Sequence, residues 1–184
     1  YRLIMARFLG PTEYGLFSLA FSVFMIAMLF SRFGVPKGLV HFTSKYIGRS
    51  EPSKIRGTIL SSFELTLPLS FIVAGILFGI APLISNFVLH EPTVTPIIRI
   101  FAVAIPMQTF LKNITHILKA YKRMDYFSMV ENIFQPLMLV LISILLVYSG
   151  YDLIGIAVAY AMSVLLSGAL GLYIVQTRVF PIFG

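Results

Sequence analysis

Gln108, Lys112, His116 and Lys119 stand at i, i+4, i+8 and i+11 in "MQTFLKNITHILKA". On a helix that spacing draws one stripe down a single face. Asn113 flanks the stripe, and the stretch that follows carries Glu131 and Gln135, again four apart, with Asn132 beside them. Glu64 lies in the stretch before. If these segments turn their polar faces to a shared hydrated cavity, Lys112 and His116 can bind an anionic group and Glu131 can pair with one of them. A plainer reading competes. Seven residues of helix separate Lys112 from Lys119, roughly 10 Å at the usual rise, so Lys112 can snorkel to an interface. Glu131 lies about one helical turn from the same edge and can do likewise. Arg99 reads as interfacial, and a single histidine with a reference pKa near 6.5 is slight ground for a proton switch.

What makes these groups conspicuous is their setting. The 184 residues are 58% hydrophobic and 11% charged, with a mean hydropathy of +0.93. Soluble globular domains carry roughly 45–50% apolar and about 25% charged residues, so this composition lacks the polar surface of a soluble fold. About 18 or more apolar residues suffice to cross a bilayer core of roughly 30 Å, and several such runs occur. The expected fold is all-α, a polytopic transmembrane helix bundle. Its spans are placed at about 14–33, 58–85, 97–118, 127–148 and 153–175, after residues 1–9, which read as the end of a truncated helix stopped by Gly10-Pro11. The chain starts at Tyr1 and ends on "VFPIFG", and is read as a piece of a longer protein forming a single transmembrane domain over 1–184.

Charge tests the topology. Ten of the fourteen Lys and Arg fall in 31–57, in 119–126 or just after the last span, at Arg178, whereas 86–96 and 149–152 carry none. Such alternation follows the positive-inside rule. It places the basic connections 34–57 and 119–126 in the cytoplasm of a plasma-membrane protein, and "GPTEYG", "NFVLHEPTVTP" and "SGYD" outside. The net charge of +7 is then topological and needs no nucleic acid. Pro68, Pro82, Pro106 and Pro136 lie inside or near the ends of the apolar segments and predict bent helices. Gly75/Gly79, Ala157/Ala161 and Ser167/Gly171 have the spacing of close helix contacts.

Enzyme signatures are missing. There is no cysteine, which removes thiolate metal sites, disulfides and thiol nucleophiles. His41, His90 and His116 have no metal-ligand spacing, and neither a nucleophile elbow nor a phosphate-cradling glycine loop is found. No catalytic residue, metal or cofactor is expected.

"ARFLGPTEYGLFSLAFSV" resembles the opening of the polysaccharide-transport flippases (Wzx- or RfbX-like) of the MOP exporter superfamily, which commonly read Ala-Arg-x-Leu-Gly-Pro-x-x-Tyr-Gly at the first outward turn. "SRFGVPKGLVHFTSKYIG" is similar to their next segment, a Gly and a proline before an amphipathic run, and "LKAYKRMDYFSMVENIFQPLMLVLISILL" to their connection into the fifth helix. The resemblance implies most of one six-helix, MATE-like lobe of a two-lobed transporter, with alternating access that carries an isoprenoid pyrophosphate-linked oligosaccharide across the cytoplasmic membrane. By motif it adds Arg7 to the cavity candidates, with Arg2 one turn back, and Arg32 at the cytoplasmic end of the next span. The candidate set is therefore Arg7, Arg32, Gln108, Lys112, Asn113, His116, Glu131 and Gln135. The implied partners are lipid-linked oligosaccharide and membrane lipid, with glycan polymerase or glycosyltransferase machinery as candidate protein partners. No matching acidic motif in the first helices transfers a Na⁺ or proton site. Another exporter of the superfamily, a peptidoglycan-precursor flippase or a cation-coupled drug antiporter, would share the fold and differ in cargo. A polymerase or ligase would need a large outward loop, and the outward loops here are short.

Overall fold

A computed structural model describes the backbone of residues 2–32 and 34–180, and the side chains of residues 10, 12–32 and 34–180. Expectations that rest on Tyr1, Phe33 or the side chains of Arg2 and Arg7 lie outside the described residues. The described residues form helices and turns and contain no strand, and five helical stretches are long and apolar enough to cross a membrane. The protein is a transmembrane helix bundle.

Helix α1 (Arg2–Arg32) is broken at Gly10, whose φ of 76° and ψ of 169° are open to glycine and strained for other residues. The membrane-length part runs over Thr12–Arg32. Gly34, again at φ 76°, turns the chain into α2 (Val35–Ile47). The segment 34–57, expected as a basic loop, is therefore largely helical. Its buried residues recur at helical spacing: Leu39 and Thr43 are buried where α2 packs on its neighbours, and Lys37, His41 and Lys45 are exposed. Helix α3 (Pro52–Leu83) begins six residues before the expected span, because Pro52 supplies a preset first helical turn. It runs on through a π turn, Ile84–Val88.

After a 3₁₀ turn at Pro92–Val94 comes α4 (Thr95–Ala120). Helix α5 (Met124–Ser128) passes through a π segment, Met129–Phe134, into α6 (Gln135–Tyr148). Pro136 has no N–H to offer the carbonyl four residues back, and the hydrogen-bond register widens just before it. Helix α7 (Asp152–Ile174) ends in a further π turn, Val175–Val179. Pro68, Pro82 and Pro106 are carried within α3 and α4.

The bundle is arranged around α4, which packs against α1, α2, α3 and α7. It is the least apolar of the five spans and the most deeply buried. Its contact with α3 runs along a buried row of small residues, Ser62, Thr66, Ser70, Ala74 and Ala81, as membrane helices need for close approach. Its contact with α1 and α7 is aromatic: Phe17, Phe21, Phe24, Phe101 and Tyr160 meet with centroids 5.3–6.0 Å apart.

The small-residue pairs fall into two kinds. Gly171 belongs to a close contact, since a Cβ there would lie 2.8 Å from Cγ2 of Ile114; at Gly168 it would lie 3.2 Å from the Phe110 ring. Gly75 and Gly79, expected at a helix contact, have nothing within 4 Å of an added Cβ, so neither sits at a close contact with a described residue. Gly171→Ala is expected to lower stability by about 1–3 kcal/mol, the usual cost of overpacking, and Gly79→Ala to leave it unchanged. Thermal unfolding of the full-length protein in detergent measures both.

Candidate functional site

The polar stripe of α4 is real as a face, and its members meet different partners. Lys112 forms an ion pair with Glu131 of the π segment, linking two spans that are separated in sequence by the 119–126 connection. Both side chains are mostly buried, at 19% and 18% exposure. The π register turns Glu131 toward α4, and its second oxygen, Oε2, is buried with no hydrogen-bond partner. One turn outward from Lys112, Gln108 is 7% exposed, and its Oε1 also lacks a donor. One turn the other way, His116 donates from Nδ1 to the Lys112 carbonyl at 2.6 Å; a carbonyl can only accept, so the proton sits on Nδ1. Thr115 donates to the same carbonyl at 3.1 Å. Lys119 closes the stripe by lying over the Phe127 ring, 4.1 Å from its centroid.

Arg32 joins this group from α1. Its Nε donates to the Met28 carbonyl at 3.4 Å, so the side chain folds back one turn toward the bundle instead of extending past the helix end. There it is within electrostatic reach of Glu131 and Tyr160. Beside it, Ser31 and Thr109, both fully buried, share a hydroxyl contact of 3.4 Å between α1 and α4. Ser31, Thr109 and Tyr160 escaped the sequence reading. Hydroxyls are common in membrane helices, and only the packing shows that Ser31 meets Thr109 and that Tyr160 lies within electrostatic reach of Arg32.

Asn113 takes no part in this cluster. It points the other way, is fully buried, and donates from Nδ2 to Thr66 Oγ1 of α3 at 2.6 Å, so it is helix glue. Gln135 is half-buried at the start of α6, while Glu64 and Asn132 are exposed. Asn132 donates to Ser128 Oγ at 3.4 Å. Arg7 lies outside the described side chains. Arg99 is exposed and far along α4 from the cluster. Among the described residues no three His, Asp or Glu side chains gather as a metal ion would require. Outside the spans, Tyr121 stacks on Phe180 with centroids 6.0 Å apart, and burial pushes its hydroxyl pKa upward, which keeps it protonated.

The arrangement is thus an ion pair between two spans, with a second cation, Arg32 of α1, in electrostatic reach of the carboxylate and two buried acceptors without partners, inside a bundle of membrane length. A model of the polysaccharide biosynthesis protein family matches residues 1–184. The chain belongs to that family. Among curated proteins, Stage V sporulation protein B of Bacillus subtilis (strain 168) is 21% identical over 150 residues, 73% of this chain and 29% of that relative. The chain spans less than a third of that relative's length. No solved structure matches it significantly.

Within this family member the Lys112–Glu131 pair carries a testable energetic signature. Breaking one side of a buried pair leaves the other charge uncompensated, at about 3–5 kcal/mol. Lys112→Met and Glu131→Gln are each expected to destabilise more than half as much as the double variant, with a coupling energy of about 0.5–3 kcal/mol. A double-mutant cycle on the full-length protein measures it, and strictly additive losses would show that the two groups do not interact.

Proposed function

We propose that the protein is a non-enzymatic flippase that carries a lipid-linked oligosaccharide, its glycan borne on an isoprenoid pyrophosphate, across the cytoplasmic membrane by alternating access. The observation that carries this reading is the Lys112–Glu131 ion pair within the bundle, with Arg32 in electrostatic reach of the same carboxylate. A charge in the middle of a membrane span costs at least about 2.5–3.5 kcal/mol on insertion scales, and two cations against one carboxylate leave positive charge without a counterion among the described residues. A pyrophosphate supplies that counterion. It competes with Glu131 for Lys112 and binds Arg32 by charge-assisted hydrogen bonds. Gln108 Oε1 and Glu131 Oε2, which lack donors, are acceptors for sugar hydroxyls.

Transport follows when cargo binds one arrangement of the bundle better than another, since a ligand shifts an equilibrium only by its differential affinity. The exchange of Lys112 between Glu131 and the cargo is such a difference. In this reading the basic stretches 34–57 and 119–126 face the cytoplasm, by the positive-inside rule. Glycosyltransferases supply the cargo there, and a glycan polymerase receives it on the far side. Membership of a polysaccharide biosynthesis family supports that setting.

The test uses the full-length protein in proteoliposomes with a polyprenyl pyrophosphate-linked oligosaccharide. Arg32→Gln with Lys112→Gln is expected to lower its translocation by about tenfold or more, the weight of a lost charged hydrogen bond, at normal insertion. Undiminished translocation overturns the role of the cluster. Wild-type protein that moves a peptidoglycan precursor and not the oligosaccharide transfers the reading to the other exporter of the superfamily.

A further inference from the structure

On the opposite side of α4 from the cluster, the bundle carries a groove of about 730 Å³ walled by α3, α4 and α7. Its walls are hydrocarbon throughout; Leu67, Gly75 and Phe78 form one side, Val103 and Phe110 another, and Leu172 the third. Gly75 matters most to its shape, because the space that a side chain would fill there is open. One turn outward from Val103, on the same face of α4, Arg99 lies over the ring of Phe78 at 5.1 Å. Phe78 is thus both groove wall and platform for the guanidinium.

A ring face holds the plane of a guanidinium and leaves its N–H edges free. Those edges form the fork that binds phosphate through two parallel hydrogen bonds. Among the described residues no carboxylate pairs with Arg99. Along α3 the lining runs from Leu67 to Phe78, eleven residues or about 17 Å of helix, close to half of the roughly 30 Å hydrocarbon core. The groove is therefore one leaflet deep, with a single cation among the described residues near its outer mouth.

We infer that this groove binds one anionic phospholipid from the leaflet opposite the basic connections, its phosphate on Arg99 and one acyl chain along Gly75 and Phe110. The depth matches an acyl chain, and the lone cation matches a phosphodiester. A pyrophosphate on a long isoprenoid would exceed both. The site is separate from the charged cluster and independent of which cargo the protein carries. Bound lipid would brace α3 against α7 across a gap that the described residues leave open.

The test places full-length protein in nanodiscs of phosphatidylcholine and phosphatidylglycerol, with photoactivatable phosphatidylglycerol carrying its reactive group in the acyl chain. Cross-links are mapped by peptide mass spectrometry. They are expected at residues 71–78 and 103–110, and unlabelled phosphatidylglycerol should compete better than phosphatidylcholine. Arg99→Gln should weaken labelling about fivefold, the weight of one basic residue beside an anionic lipid, and Arg99→Lys should retain most of it. Gly75→Leu, checked for wild-type thermal stability, should block the chain and abolish it. Equal labelling by a phosphatidylcholine probe, labelling that is indifferent to Arg99→Gln, or a groove closed to both probes by other parts of the protein or a second copy would each overturn the inference.

Discussion

The architecture depends on where polar groups can go when the solvent is hydrocarbon. Water rewards a soluble chain for placing polar residues outside, whereas lipid offers their hydrogen-bonding groups nothing. The least apolar helix is therefore driven to the middle. Helix α4, with Gln108, Thr109, Lys112, Asn113, Thr115 and His116, is that helix, and it is the most deeply buried of the five spans. Helices α3 and α6 are more apolar and turn much of their length outward. Two faces of α4 then do different work. Asn113 fastens it to Thr66 of α3, while Lys112 reaches Glu131.

Lipid tails are as apolar as leucine, so burial of apolar area does not hold these helices together; close packing and interhelical hydrogen bonds do. This explains why the tightest places are the smallest residues. Gly168 and Gly171 let α7 approach Phe110 and Ile114 of α4, and the Ser62–Thr66–Ser70 row lets α3 do so on the other side. Where a small residue has no such neighbour, as at Gly75, the result is a groove. The same residue type thus makes a contact in one place and a vacancy in another.

The charged cluster shows how local backbone features set a site. The π register before Pro136 turns Glu131 toward α4. The fold-back of Arg32 onto the Met28 carbonyl places a third helix's charge within reach of the pair. Neither feature is large, yet together they gather charges from α1, α4 and the α5–α6 span in a setting where charge is expensive.

Amino-acid order by itself determined the class of the molecule, since runs such as "LTLPLSFIVAGILFGIAPLIS" leave only helices able to satisfy their own backbone in lipid. It also determined that Gln108, Lys112 and His116 share a face, because helical periodicity is local. The amphipathic run in 34–57 was written there too, but a span read from hydropathy passes over a helix that is only half apolar. Tertiary structure decided which face meets which partner. Spacing could not tell that Lys112 pairs with Glu131 while Asn113, one residue on, turns to α3, because a step of one residue swings a side chain by about 100° and only packing says what waits there. It likewise separated Gly171 from Gly75. The reason is the same in each case: periodicity is set by bonds within one helix, and partnership is set by contacts between helices far apart in the chain.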